Sequence, residues 1–401
     1  MPIYIGEYSV GGMSNGDNDI KAVTLGSYGT FGYSSGSYPD IVGSIMTPVT
    51  ADTNGNVQNP TMHMPRWKGY VDENNGGNMW ICAYGTNPDV VYTTDSGSTW
   101  NDTNIDLVGD YHISVWGVNG DLYTTGPTVA AQYISGNTSS DVSTTSPLVD
   151  TTPTHRSCTC VDGNGRWWVF TRDTGTAGEN VRYHYSDNSG ATWTDALAYE
   201  CNNDAAGVRI GCFPLEDGTV MLNILYLSDN RQYEYLKWTG TEFSGYSDQS
   251  VYSGNSQLIR QYTWNHVGDY LHMIHNSGDT LLHTWKAHNG GTGSWTASPI
   301  TTTYNNQSLN PCSVVRGNKL YMFYSMGTGD DLDDSWAIYG NIWSQTEESW
   351  GGEFLVYSGN GLQSYPNTSP KIPTDANYVP VFWSEGSGTS WNTLYSRLNL
   401  V

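Results

Sequence analysis

The chain has 401 residues, a formal net charge of −23 and only 14% charged residues. That charge argues against nucleic acid or an anionic membrane surface as a partner, and no apolar run reaches the length of a transmembrane helix. With 46 Gly, 29 Tyr and 16 Trp the composition suits short strands joined by tight turns far better than helices.

The N-terminus, MPIYIGEYSVGGMSNGD, has neither a basic n-region nor an apolar h-region, so no secretory signal is expected in it. Residues 1–58 read as an N-terminal segment. PIYIGEY is expected to supply a ring-closing strand, and the Gly/Ser/Asn-rich stretch that follows a surface excursion.

From residue 59 onward one pattern recurs at intervals of about 50 residues. An extended segment runs into a Gly/Asn/Asp turn and then into an aromatic or aliphatic strand. The instances are VDENNGGNMWICAY from 71, VNGDLY from 118, VDGNGRWWVF from 161, LEDGTVMLNI from 215, VGDYLHMI from 267, VRGNKLYMFY from 315 and PTDANYVPVFW from 373. DG and NG between β-rich runs are hairpin signals.

A third strand follows, as in DVVYTT and NVRYHYS, and then a second marker. TTDSGSTW, residues 93–100, places Asp95, Gly97, Thr99 and Trp100 at offsets that suit a turn: a carboxylate to accept backbone N–H groups, a glycine tolerant of positive φ, and an apolar anchor. SDNSGATW, residues 186–193, repeats it with Asn188, Gly190, Thr192 and Trp193; weaker echoes end at Trp295 and Trp350. These turns are expected to lead from a third to a fourth strand. The sequence therefore predicts one all-β domain over 1–401: a seven-bladed β-propeller of four-stranded antiparallel blades, with six blades plus an N-terminal cap as the competing count.

On the turns at 95–100 and 188–193 the chain resembles the BNR, or Asp-box, repeat of sialidase-like propellers. HRSCTCVDGNGRWWVFTRD…NVRYHYSDNSGATW, from 155 to 193, is the most similar stretch. Sialidases, glycan-binding proteins and uronate-polysaccharide lyases of the ulvan type share such propellers. Sialidase chemistry is not expected, because the Arg-Ile-Pro opening is missing: MPRWKG offers Arg66 alone, and VRIGCFP has Arg209 and Ile210 without the proline.

The few basic residues cluster where each blade should begin. Together with polar residues at matching places they are, in order, His63 with Arg66, His112, His155 with Arg156, Arg209, then Arg260 with Tyr262 and His266, and finally Asn310 and Lys371. Singly, a His or Arg on an inner strand satisfies backbone carbonyls lining a wet channel. As a set in an acidic protein, they would focus an anionic ligand on one mouth. The resemblance to ulvan-type lyases implies how they would act. Arg209, with Arg156 or Arg260, would bind a uronate carboxylate, and His112 and His155, with Tyr262 as alternate, would transfer protons. The expected partner is an anionic polysaccharide or cell-surface glycan. The alternative is a non-catalytic glycan- or receptor-binding propeller, extracellular or virion-associated, assembling with other virion proteins of a phage.

Weaker features complete the reading. GTGDDLDDSW places Asp330, Asp331, Asp333 and Asp334 in a loop suited to a structural Ca²⁺; no other cofactor is required. Strand alternation should split His266, His272 and His275 between faces, which disfavours a metal triad. Trp67, Trp116 and Trp264 are candidate sugar-stacking platforms. The six cysteines read as free, buried thiols.

Overall fold

The computed structural model describes residues 42–400 apart from segments 54–66, 84–88, 107–113, 126–130, 136–137, 142–156, 176–177, 202–207, 227–232, 249–261, 278–279, 288–294, 301–309, 328–334, 360–361, 374–375, 388–389 and the single residues 73, 76, 216 and 371; before residue 42 it describes four short strand pieces.

Seven antiparallel sheets form the blades. Their first strands are Gly69–Val71, Ser114–Val118, Ser157–Val161, Val208–Pro214, Tyr262–Val267, Cys312–Arg316 and Leu362–Asn367. First strands of blades one to four pack on one another in succession, as do those of blades five to seven. Between first and second strands lie the seven turns that the sequence marks, so every inner strand begins at one mouth of the ring and ends in a hairpin at the other. At Asn119–Gly120, φ values of 54° and 85° give the left-handed pair that the right-handed strand twist demands.

The ring closes differently from expectation. The last blade has three strands of its own, ending with Ser390–Leu400; Val42–Ile45 and Val49–Thr53 pair with that strand and complete it. PIYIGEY does not: Tyr4–Ile5 pairs with Tyr8–Ser9. The closing segment alternates Val, Thr and Ile with polar residues, and Ala51 enters the core while its neighbours stay outside. Ser396 Oγ donates to the Met46 carbonyl at 2.7 Å and Met46 N–H to the Arg397 carbonyl at 3.0 Å. Part of the presumed surface excursion is therefore the clasp of the propeller.

The aromatic excess fills the spaces between blades. Trp167, Trp168, Trp264, Trp343 and Trp383 are completely buried. The inner strands admit these rings by leaving room: a Cβ on Gly211 would lie 2.3 Å from the indole of Trp264 on the next blade.

The two marker turns do lead from third to fourth strands, and they share one network. In the first, Thr99 N–H and the Thr93 hydroxyl donate to Asp95 Oδ1 at 2.9 and 2.7 Å, and Gly97 N–H donates to Thr93 Oγ1 at 3.0 Å. In the second, Asn188 Oδ1 accepts from Thr192 N–H and Ser186 Oγ, both at 2.9 Å, and Gly190 N–H donates to Ser186 Oγ at 2.8 Å. The first turn docks sideways: the Ser96 carbonyl accepts from Tyr395 and Arg397 of the last blade. The second packs within its own blade, Trp193 on Trp167 with centroids 4.9 Å apart.

Candidate functional site

The two mouths of the ring differ in what fills them. At the mouth where inner strands begin, Arg209 is the second residue of strand 208–214, Tyr262 starts the next inner strand, and Asn310 precedes the one after. Asn310 adopts a φ of 37°, in the left-handed region. The side chain of Arg209 is outside the described set. His63, Arg66, His112, His155, Arg156, Arg260 and Lys371 lie outside the described residues, as do Asp330, Asp331, Asp333 and Asp334.

Two expectations are corrected here, the placement of His266 and the stacking role of the tryptophans, and Tyr262 proves buried. Tyr262 is only 3% exposed, its ring 5.2 Å from that of Trp264. His266 is on the same strand but four residues on, about 13 Å away at strand rise, beside the hairpin at Gly268; it therefore belongs to the opposite mouth. Chain proximity grouped these two, whereas a strand separates its ends. Trp67, Trp116 and Trp264 are buried and offer no sugar platform. His272 and His275 do fall on opposite faces, because they stand three residues apart on the strand Tyr270–Ser277.

Trp67 and Trp116 instead plug the channel. Trp67 meets Trp116 at 6.1 Å and Phe213 at 5.0 Å, both edge-on, and Phe213 meets His266 at 4.7 Å. Polar groups pin the plug: Trp67 Nε1 donates to the Ser313 carbonyl at 3.1 Å, Asn265 Nδ2 donates to the same carbonyl at 3.2 Å, and the Thr263 and Ser313 hydroxyls lie 2.9 Å apart. Sequence reasoning missed this plug; its signal was the run of aromatic and small polar residues on inner strands.

Beyond the plug, the hairpin mouth holds a cavity of about 450 Å³ lined by Trp116, Phe213, Leu215, His266 and Val315 among others. Its carboxylate is occupied. Asp162 accepts from Asn164 N–H at 2.8 Å, Arg166 N–H at 3.1 Å and Trp168 Nε1 at 2.9 Å.

Several described cations also have structural partners. Arg166 grips Asp187 with two hydrogen bonds of 2.6 and 3.1 Å, which raises its already high pKa, and lies 4.0 Å over the Tyr185 ring. Arg182 pairs with Asp195 and Lys237 with Asp217. Arg316 donates to the Ala376 carbonyl at 2.9 Å.

These features define a seven-bladed β-propeller whose channel is plugged by aromatic rings. No family model and no curated protein matches the chain. Solved structures do. YCF48 from Cyanidioschyzon merolae matches with a TM-score of 0.52 at 10% identity, covering 88% of this chain and 99% of that one. The polysaccharide lyase Uly1 gives the same score, identity and coverage. A fungal lectin from Aleuria aurantia, described as a six-bladed propeller with fucose recognition, matches at 0.43 and 10% identity over 70% of this chain and 92% of its own. The likeness to the first two is one of fold.

Proposed function

We propose that the mouth at the inner-strand starts binds an anionic, uronate-containing polysaccharide and cleaves it by β-elimination. The observation that supports this most is the shared direction of the seven inner strands. Those strands begin at one mouth, where Arg209 and Asn310 lie; the sequence carries His63, Arg66, His112, His155, Arg156 and Arg260 ahead of inner strands, and in this reading they gather there. Because aromatic rings plug the channel, a polymer would lie across the mouth and not thread through it.

In this reading Arg209, with Arg156 or Arg260, neutralises the uronate carboxylate and acidifies the adjacent C–H. His112 or His155 takes that proton as the bond to the glycosidic oxygen at the β carbon breaks and a carbon–carbon double bond forms. The other histidine protonates the leaving oxygen. Tyr262 stands last among the proton carriers because of its burial. The networks of Asp95 and Asn188 support the Asp-box reading of the repeat, and an extracellular or virion-borne setting belongs with this function.

The burial of Tyr262 favours a second reading, a propeller that binds glycan without cleaving it. Ultraviolet absorbance of newly formed unsaturated uronate, followed across a panel of uronate polysaccharides, separates the two. A rise abolished by His112→Ala or His155→Ala is expected for the lyase. A flat trace with glycan binding intact and weakened by Arg209→Ala leaves recognition alone, and neither signal overturns both.

A further inference from the structure

Cys158 and Cys160 occupy alternate positions on the inner strand of blade three, so both point the same way. Their neighbours Ser157 and Thr159 face elsewhere: the Ser157 hydroxyl donates to Thr125 of blade two at 3.1 Å. The two thiols therefore face blade four, whose inner strand carries Cys212. The two inner strands pack on each other, which brings Cys212 beside Cys158 and Cys160, and all three are buried in one core cluster. Cys82 and Cys312 are also free and buried, but each sits in a different cluster.

We propose that Cys212 is a redox latch, forming a disulfide with Cys160 or Cys158 that ties blade three to blade four when the protein meets a peroxide. The chemistry balances in two steps. One thiolate attacks the O–O bond of hydrogen peroxide, giving a sulfenic acid and hydroxide. The second thiol then attacks that sulfur, forming the S–S bond and releasing water, so two thiols and one peroxide yield one disulfide and two waters. Cys212 has to be a member of the pair. Cys158 and Cys160 are two residues apart on an extended strand, with parallel Cβ directions that do not suit a bridge. A third thiol beside the same sulfur permits exchange between the two possible bridges.

Burial governs the rate. It raises the thiol pKa of Cys160 and Cys212, leaving little thiolate in the closed ring. Oxidation then requires transient parting of blades three and four, and the latch forms on the minutes-to-hours scale of local opening.

The test is differential alkylation and peptide mapping of the full chain after hydrogen peroxide treatment. The expected product is a cross-link from Cys212 to Cys160 or Cys158, reversed by a thiol reductant and accompanied by a higher Tm. Cys158→Ser and Cys160→Ser should each leave the other bridge, whereas the double variant and Cys212→Ala should each abolish cross-linking. Should one of those two misfold, the other still decides. Cross-links in either of them, or wild-type oxidation stopping at sulfinic acid without any bridge, would overturn the proposal.

Discussion

The indole N–H of Trp67 donates to the carbonyl of Ser313 across 3.1 Å, joining blade one to blade six at the centre of the ring. These residues are 246 positions apart in the chain. The bond makes the channel a closed core instead of a pore, so the two mouths can serve separate ends. Trp67→Ala should cost about 3–5 kcal/mol through the cavity it leaves. Trp67→Phe retains an edge contact to Phe213 and should lose less, the hydrogen bond contributing about 1 kcal/mol. Urea unfolding of both variants checks the ordering; equal losses would mean that the plug is loosely packed.

Gly97 lies at φ 85°, and a Cβ there would come within 1.9 Å of the Tyr395 ring. Gly97→Ala is accordingly expected to destabilise by several times the ~1 kcal/mol of an ordinary left-handed glycine replacement, separating the first blade from the last. Asp95→Asn should be nearly silent, because Asn188 builds the same network with an amide. Asp95→Ala should cost roughly 1 kcal/mol in Tm-derived stability. A large loss in Asp95→Asn would show that the carboxylate charge matters, and not only its geometry.

Stability should fall in mild acid. Burial holds the His184 imidazole at about 4, below its ordinary 6.5. The same cause, with His272 and His275 adding to it, holds His283 well below the usual range. On acidification the unfolded chain takes up these protons first. Stability present above about pH 6.5 is therefore lost as pH falls toward 4, with His184 accounting for on the order of 3 kcal/mol at the lower end. Asp95 acts lower down: hydrogen bonds from the Thr93 hydroxyl and from Thr99 hold its carboxyl at about 2, so its contribution fades only as pH drops from about 4 toward 2. Urea midpoints measured from neutral pH downward should show the first slope. His184→Gln should flatten it, and an unchanged slope in that variant would acquit His184.

Removing residues 1–53 should open the ring. The strand 390–400 would lose its outer partner and present a bare edge. Lower Tm together with concentration-dependent association on size exclusion is expected. A truncated chain that stays monomeric with unchanged Tm would show that the clasp contributes nothing.

Much of the fold was legible in the chain because its determinants are local. Asn119–Gly120, Asp162–Gly163 and Asp217–Gly218 impose turns through their own backbone preferences, and strand alternation separates His272 from His275. The clasp was not legible. Residues 42–53 carry no turn marker and pair with a strand more than 300 residues away, so nothing local distinguishes them from PIYIGEY.

The candidate site divides along the same line. The sequence by itself determined the four-stranded blade, the position of the marker turns and the gathering of basic residues ahead of the inner strands, since all three follow from short-range spacing. Seven blades over six plus a cap was settled by the clasp on the last sheet. Only the tertiary structure decided that Tyr262 and His266 lie at opposite mouths, that Trp67 and Trp116 are a plug, and that Cys212 meets two thiols of another blade. Those outcomes depend on which side chains face one another when seven sheets close around an axis, and packing across a ring has no signature in the order of residues along the chain.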